Sequence, residues 1–403
     1  MSDLKIFNSL TRQKENFRPK QNRAGIYVCG ITPYDVTHLG HAFTYVFFDV
    51  VVRYLRFLGY KVVYVQNLTD IDDDILKRAK KEKKNWRGVV KVNTRKFLED
   101  LKWLNCQAPD FYPRATDHVL QILAVSKKLL QKKMAYQRRG SVYFDVSSDK
   151  SYGELSKLSK KEMLPIANER GNNPKDTNKT DPLDFVLWQA KERGEPSWTS
   201  PWGQGRPGWH IECTAMASKY LGKSFDIQGG GADLIFPHHE STIAQSEYAF
   251  SKRPHVKYWM HTGMLRYKKE KMSKSLGNLV LVGDLKRKYS ANTVRILLLS
   301  HNYRSPFEYF AKELREAKKA DRLLNSVWQL PSSGAPFTQI FDTKAYHKEF
   351  FAAMNNDFDT PKAVNVLKKM AALLLKNRGR KNISQAKDLF FKTFNILGLS
   401  IEY

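Results

Sequence analysis

A strand–helix–strand pattern near the start of the chain constrains its fold more than any other feature. The stretch GIYVCG (25–30) is short, apolar and β-branched, which is typical of a buried strand. HAFTYVFFDVVVRYLRFLGY (41–60) keeps apolar residues on a broad helical face, and KVVYVQN (61–67) is typical of a second strand. This order favours a parallel sheet, whose ligands bind beyond the carboxyl ends of the strands.

The middle of the chain has a different pattern. Between about 86 and 200, charged helical patterns alternate with one predicted strand, GSVYFDV (140–146). The polar run at 167–181 is predicted to be an exposed loop. We interpret this region as an insertion between two halves of the sheet. Beyond it, strand and helix patterns return, and a mainly helical segment with a linker at 330–339 follows.

Two short motifs point to phosphate chemistry. In HLGH (38–41), a glycine permits close approach of a ligand, and the helix that follows offers its amino end to an anion. In KMSKS (271–275), Lys271 and Lys274 can stabilise the negative charge of a polyphosphate. Alone, the first motif also fits two histidines at a helix cap, and the second fits a solvated basic loop. Their pairing around a strand–helix–strand unit resembles the signature of class I aminoacyl-tRNA synthetases, and this resemblance implies an ATP site.

Soft metal ligands form a third candidate group. Cys29 ends the first strand, Cys213 lies in GWHIECTAM, and His238 and His239 lie in FPHHES. Thiolates and imidazoles together favour zinc, and a zinc with three protein ligands keeps one position open for a substrate thiolate. The alternative is that the cysteines are small buried side chains and that the histidines are hydrogen-bonded in a loop.

Composition bears on the class of partner and on the cellular compartment. A formal charge of +28 suggests a polyanionic partner such as nucleic acid, although a general lysine bias would also produce it. Three scattered cysteines do not form a disulfide framework, which favours a reducing, cytoplasmic setting. No apolar stretch reaches the roughly 18 residues of a membrane span, so no membrane association is expected.

Longer motifs resemble one family closely. The chain is similar to the cysteine-activating class I synthetases, which comprise the cysteinyl-tRNA synthetases and the related mycothiol-pathway ligase. The similarity covers residues from about 20 to about 370. It is carried by CGITPYDVTHLGHA, VQNLTDIDD, DPLDFVLWQAKERGEPSWTSPWGQGRPGWHIECTAMA, FDIQGGGADLIFPHHE and KMSKSLGN.

This resemblance implies both a fold and a site. The fold is α/β, with a Rossmann-like catalytic domain over 1–285 that carries the insertion, and a C-terminal α-helical domain over 286–403. Zinc is expected on Cys29, Cys213 and His238, and catalytic contacts with ATP on His38, His41, Lys271 and Lys274. The residues expected to contact the cysteinyl-adenylate are Gly30, Ile31, Thr32, Thr44, Asn67, Thr69, Trp209, Gly231, Asp233 and Leu265.

One departure from the family pattern concerns the metal. Cysteinyl-tRNA synthetases resemble each other in a glutamate that ligates zinc, and Thr242 occupies that position here. Either the zinc has three protein ligands plus the substrate thiol, or Glu240 or His239 takes the place of that glutamate.

The acceptor of the cysteinyl group is the open question. The family implies that ATP, with Mg²⁺, activates L-cysteine to cysteinyl-adenylate, and that the cysteinyl group passes to the 3′ end of tRNA(Cys). The alternative acceptor is the amine of glucosaminyl-inositol, favoured by Thr242 and by the short segment after Ser275. The +28 charge and the basic run at 77–87 favour tRNA. A third hypothesis is a non-catalytic tRNA-binding paralogue. We expect a monomer.

Overall fold

The computed structural model describes residues 4–272, 277–331 and 340–401, and at Lys271 it describes the backbone alone. The strands are β1 (Lys5–Asn8), β2 (Gln13–Asn16), β3 (Arg23–Ile31), β4 (Lys61–Leu68), β5 (Ala135–Arg138), β6 (Ser141–Phe144), β7 (Phe185–Ala190), β8 (Trp198–Ser200), β9 (Gly203–Pro207), β10 (Phe225–Gly231), β11 (Val256–Thr262), β12 (Leu265–Tyr267), β13 (Glu270–Lys271) and β14 (Phe307–Glu308). The helices are α1 (Leu39–Phe57), α2 (Asp73–Glu82), α3 (Trp86–Trp103), α4 (Val119–Gln131), α5 (Lys160–Glu169), α6 (Trp209–Leu221), α7 (Glu240–Phe250), α8 (Val282–Lys286), α9 (Ala291–Leu299), α10 (Ala311–Ser326), α11 (Lys344–Asn355), α12 (Thr360–Lys376) and α13 (Ser384–Ile396).

A four-stranded parallel sheet forms the centre of the molecule, in the order β11–β10–β3–β4. The strands β3 and β4 are joined by α1, so the predicted strand–helix–strand unit and its parallel sheet are confirmed. The helix begins at Leu39, before the predicted start at His41, because His38 caps its amino end. All four strands run in one direction, so their carboxyl ends share one edge of the sheet.

The interpreted insertion contains a sheet of its own. Five antiparallel strands, in the order β5–β6–β7–β9–β8, pack with α4 and α5 around an apolar core to which α6 and α7 also contribute. The strand predicted within 140–146 is β6. The loop predicted for 167–181 is wrong at its first three residues, because α5 continues through Glu169. A capping box between Ser159 and Glu162 begins that helix, and it buries Met163 and Ala167.

The chain beyond residue 281 is mainly helical in its described parts, as predicted. Apolar side chains of α9 to α13 share one core with α1 and the central sheet. The linker predicted at 330–339 lies outside the described residues, except for its first two positions. Within the described ranges, none of the helices is both long enough and apolar enough to cross a membrane.

Candidate active site and metal centre

A cavity of about 440 Å³ opens at the carboxyl ends of the central strands. It brings together fifteen of the residues predicted from sequence. They are Cys29, Gly30, Ile31, Thr32, His38, His41, Thr44, Asn67, Thr69, Trp209, Cys213, Gly231, Asp233, His238 and Leu265. Lys271 belongs to β13 by its backbone, and its neighbour Met272 lines the cavity. The side chain of Lys271 and the whole of Lys274 lie outside the described residues.

The HLGH motif builds the amino end of α1. The Nδ1 atom of His38 accepts hydrogen bonds from the backbone N–H groups of Gly40, at 3.1 Å, and His41, at 3.4 Å. A neutral imidazole that accepts at Nδ1 carries its proton on Nε2, which makes Nε2 the donor of the ring. The His38 and His41 rings stack, with their centroids 3.7 Å apart. The motif is thus a helix cap, and both of its histidines line the cavity.

A close contact between β3 and β4 shapes the cavity floor. The amide oxygen of Asn67 accepts from the backbone N–H of Gly30 at 2.8 Å, and its amide nitrogen lies 3.3 Å from the Thr69 hydroxyl. A Cβ atom on Gly30 would come within 1.6 Å of the Asn67 carbonyl oxygen, so no larger residue fits there. On the opposite wall, the hydroxyls of Thr44 and Thr262 lie 2.7 Å apart.

The segment after β10 is held by an arginine from the insertion. Arg170, just beyond α5, donates from its guanidinium to the backbone carbonyls of Asp233 and Phe236. These carbonyls flank the turn that carries Asp233 into the cavity and leads to His238. Sequence analysis missed Arg170, because nothing in a polar run marks one cation as a partner of a distant backbone.

Three soft ligand atoms converge at the base of the cavity. The sulfur atoms of Cys29 and Cys213 lie 3.9 Å apart, and the Nε2 atom of His238 lies 3.3 Å from the Cys213 sulfur. All three residues are buried, and their ligand atoms lie within 4.8 Å of one another. They reach this point from β3, α6 and the turn before α7, which places the predicted metal ligands together.

The chemistry of this group fits zinc. The hydrogen bond with Cys29, and the neighbouring His238 imidazole, hold the pKa of Cys213 well below its usual range, so that thiol favours the ligating thiolate form. Burial raises the pKa of Cys29. Two sulfurs and one imidazole match the soft donor set that zinc prefers, and three ligands leave a position for one more.

Further buried histidines contact the three candidate ligands. The Nδ1 atom of His210 lies 3.0 Å from Nδ1 of His238. On the other side, Nε2 of His239 lies 3.1 Å from the Cys29 sulfur, and its Nδ1 lies 2.8 Å from Nε2 of His261. Burial lowers the pKa of His210, His239 and His261, so all three rings are neutral at pH 7. Sequence analysis missed His210, which a search around GWHIEC would have found, and His261, for which we find no sequence signal.

The alternatives for a further metal ligand differ in their geometry. The carboxylate of Glu240 accepts from the backbone N–H groups of Leu155, at 3.2 Å, and Ser156, at 2.8 Å, so it is engaged with the insertion. The Thr242 hydroxyl donates to the backbone carbonyl of His238 at 2.9 Å. Of the two substitutes predicted, His239 is the one whose ring nitrogen lies beside a sulfur of the cluster.

Comparison with known sequences gives consistent findings. Residues 16–319 match the family described as tRNA synthetases class I (C) catalytic domain, and residues 349–402 match the DALR domain. Proteins named cysteine–tRNA ligase from Salmonella arizonae and Salmonella paratyphi B are each 48% identical over 371 residues. These alignments cover 91% of this chain and 78% of each relative.

Comparison with solved structures supports the fold. Methionyl-tRNA synthetase of Mycobacterium tuberculosis, in complex with methionyl-adenylate, superposes with a TM-score of 0.66 at 14% identity, covering 93% of this chain and 89% of that one. A ternary complex of LeuRS, tRNA and LeuAMS from Agrobacterium radiobacter gives a TM-score of 0.64 at 10% identity, covering 94% and 84%. At such low identity the likeness concerns architecture alone.

Proposed function

This chain belongs to the cysteine–tRNA ligase family of class I aminoacyl-tRNA synthetases, and we propose that it activates L-cysteine with ATP and transfers the cysteinyl group to the 3′ end of tRNA(Cys). The observation that carries this proposal is one cavity lined both by the HLGH motif and by the cluster of Cys29, Cys213 and His238. The 48% identity to cysteine–tRNA ligases supports tRNA over glucosaminyl-inositol as the acceptor. The intact cavity argues against a non-catalytic paralogue.

In the first half-reaction, ATP enters as its Mg²⁺ complex. Its phosphates lie at the amino end of α1, where His38 and His41 donate to phosphate oxygens, and its adenine lies over the glycines 229–231. A carboxylate oxygen of cysteine attacks the α-phosphorus in line, which breaks the bond to pyrophosphate and forms cysteinyl-adenylate. Lys271 and Lys274 stabilise the charge on the departing pyrophosphate. No protein nucleophile takes part, so catalysis is positioning and charge stabilisation.

Recognition of the amino acid depends on the base of the cavity. Cys29, Cys213 and His238 hold zinc, which when bound is a soft Lewis acid that prefers the thiolate of cysteine to the hydroxyl of serine. The residues predicted from the family to contact cysteinyl-adenylate surround this base. Asn67 holds Gly30 and Thr69 in place, which fixes the wall against which the adenylate lies.

In the second half-reaction, a ribose hydroxyl at the 3′ end of tRNA(Cys) attacks the carbonyl carbon of cysteinyl-adenylate. An ester forms, and AMP leaves. We further propose the division into a catalytic domain over 1–285, with an insertion over about 86–200, and a helical domain over 286–403. The separate antiparallel sheet of β5 to β9 supports the insertion. A monomer in the cytoplasm, where tRNA is charged, completes the proposal.

The acceptor is tested directly by offering ATP and labelled cysteine with a tRNA(Cys) transcript and, separately, with glucosaminyl-inositol. We expect label on the tRNA, and label on the amino sugar alone would overturn the assignment. Absence of cysteine-dependent ATP–pyrophosphate exchange by zinc-loaded protein would contradict the enzyme reading altogether.

The two lysines of KMSKS are tested by Lys271→Ala and Lys274→Ala. Because their proposed role begins as pyrophosphate leaves, each substitution should lower the rate of exchange at least tenfold while the affinity for cysteine stays within about twofold. Equal losses of rate and of cysteine affinity would contradict a role at the leaving group.

A further inference from the structure

A second cavity of about 620 Å³ lies along α3. Its floor is formed by the indole of Trp86, by Val90 and by Leu98, which follow one face of the helix at intervals of one or two turns. Leu98 is 42% exposed, and Trp86 is half-buried. The cavity is therefore an open groove with an apolar floor, and no apolar segment of the described chain covers Leu98.

Cations surround this floor. Arg87, Lys91, Arg95 and Lys102 reach it from α3, and Arg114 reaches it from the segment opposite. Arg95 forms an exposed pair with Glu99 at 3.8 Å, and the other four form no ion pair with any described residue. All five are exposed, so the groove presents an excess of positive charge to solvent.

Asp70, the acidic residue on the opposite wall, is already engaged in hydrogen bonds. The carboxylate of Asp70 accepts from the backbone N–H of Thr116 at 2.9 Å and from its hydroxyl at 2.6 Å. These bonds fix the wall between the two cavities. Thr69 lines the catalytic cavity, and Asp70, the next residue, lines the groove. The groove and the cavity proposed to hold the adenylate therefore meet at the Thr69–Asp70 segment.

The basic run at 77–87 leads to the same groove. It joins α2 to the start of α3 and holds seven lysines and arginines against one acid, Glu82. Glu82 pairs with Arg78 and with Lys84, which leaves Lys80, Lys81 and Lys83 exposed on the approach. A strand of phosphates could thus follow positive charge from α2 into the groove.

We propose that this groove binds the single-stranded 3′ end of the acceptor RNA, with phosphates on the cations of α3 and one base stacked on Trp86. This inference rests on the proposed function, which requires an RNA end at the adjoining cavity. The Arg87 guanidinium lies over the Trp86 ring, 4.9 Å from its centre, so this exposed cation and the aromatic ring form one composite surface for a phosphate and a base. Aromatic platforms between cations are how proteins bind single strands without reading every base.

A protein helix is the competing occupant of an apolar groove. The observations favour RNA because an amphipathic helix would have to bring several acidic residues to balance the cations. The groove also adjoins the catalytic cavity, where a protein partner would obstruct the acceptor.

The test compares two substitutions on one helix. Lys91→Glu reverses a charge inside the groove, and Lys96→Glu reverses an exposed charge on α3 outside it. We expect Lys91→Glu to raise the KM for a tRNA(Cys) transcript at least tenfold, and Lys96→Glu to change it by no more than about twofold. Because each phosphate contact releases counterions, Lys91→Glu should also lower the slope of log affinity against log salt by about one.

The outcomes separate the groove from the function. ATP–pyrophosphate exchange needs no RNA, so if the unmodified protein showed no exchange, the proposed function would be wrong. Normal exchange and charging, with equal tRNA KM values for the two variants, would overturn the groove proposal alone and leave a protein helix as its occupant. Should Lys91→Glu lose exchange through misfolding, Lys91→Gln against Lys96→Gln gives the same comparison without adding a carboxylate.

Discussion

At the scale of single residues, the buried cluster of Cys29, Cys213 and His238 is the feature with the clearest consequence. Cys29 and Cys213 are separated by 184 positions in the chain, yet their sulfurs lie 3.9 Å apart in a buried site. His238 completes the cluster, and His210 lies at the far nitrogen of its ring. A partner at that nitrogen fixes the ring orientation of a ligating histidine.

Cys213→Ser replaces one soft ligand with a hard one. We expect zinc content to fall below half, and the preference for cysteine over serine in ATP–pyrophosphate exchange to fall at least tenfold, because a hydroxyl binds zinc poorly at neutral pH. Metal analysis and exchange with each amino acid provide the measurement. The control is Cys106→Ser, since Cys106 lies outside the cavity. Retained zinc with unchanged preference would show that Cys213 is no ligand.

A buried histidine outside the site gives a prediction about pH. Burial lowers the pKa of His255 to about 4, and its Nδ1 atom lies 2.9 Å from the carbonyl oxygen of Lys223. An exposed histidine has a pKa of about 6.5, so as the pH falls the unfolded chain is protonated at this residue before the folded chain is. The stability that His255 contributes is therefore complete above about pH 6.5 and is lost as the pH falls towards 4.

His255→Asn keeps a donor for the Lys223 carbonyl and removes the titration. Between pH 7 and pH 5, the unmodified protein should lose about 2 kcal/mol more unfolding free energy than the variant. Urea unfolding at the two pH values measures this difference. Parallel losses in the two proteins would contradict the lowered pKa.

At the scale of elements, the insertion and the catalytic sheet are joined by side-chain-to-backbone contacts. Arg170 follows α5 and holds the carbonyls of Asp233 and Phe236, at both ends of the turn that leads to α7. Glu240 makes the reciprocal connection, from the start of α7 to the backbone of Leu155 and Ser156. The insertion therefore positions the segment that brings Asp233 and His238 to the cavity.

Arg170→Met removes the guanidinium and keeps a flexible apolar stem. Hydrogen bonds from a charged donor contribute on the order of 1.5–3 kcal/mol, so kcat/KM for ATP–pyrophosphate exchange should fall at least tenfold. Lys175→Met is the matched control, because Lys175 is an exposed cation in the same loop. If both variants catalysed exchange at the unmodified rate, the contact of Arg170 with these carbonyls would have no role in activity.

At the scale of the whole molecule, one buried ion pair links the catalytic helix to the C-terminal helices. The Arg295 guanidinium on α9 lies 2.7 Å from the Asp49 carboxylate on α1, with side-chain exposures of 0% and 2%. It also donates to the carbonyl of Leu397 after α13, and to that of Leu104 after α3. A Cβ atom on Gly398 would come within 1.9 Å of this guanidinium, so the chain passes close against it.

Arg295→Met should destabilise the entire chain. Removing the guanidinium leaves the carbonyls of Leu104 and Leu397 without their charged donor, which costs about 1.5–3 kcal/mol. The Asp49 carboxylate keeps its bonds from Arg53 and from the backbone N–H of Gln107. Arg287→Met serves as the control, since its pair with Asp284 is exposed and contributes at most about 1 kcal/mol. Unfolding in denaturant, followed by fluorescence, compares the two. A loss for Arg295→Met as small as that for the control would contradict a structural role for the pair.

Much of this architecture was predictable because its signals are local. The apolar runs of β3 and β4, with the helical face between them, predict a parallel unit from periodicity alone. The resemblance to the cysteine-activating synthetases supplied the site residues, since motifs such as HLGH and FPHHES are contiguous. The loop predicted from 167 was wrong at its start, because burial of Met163 and Ala167 extends α5 into a polar sequence.

The sequence by itself determined the parallel sheet, because that depends on residue type and short spacing, and the resemblance to the cysteine-activating synthetases supplied the roles predicted for HLGH, KMSKS and the soft ligands. Only the tertiary structure decided which distant side chains meet. It placed His261 behind His239, Arg170 on the carbonyls of the cavity turn, and Arg295 beside Asp49. It also set the basic groove of α3 beside the catalytic cavity. Such contacts join residues far apart in the chain, so packing and burial select them, and no local pattern records them.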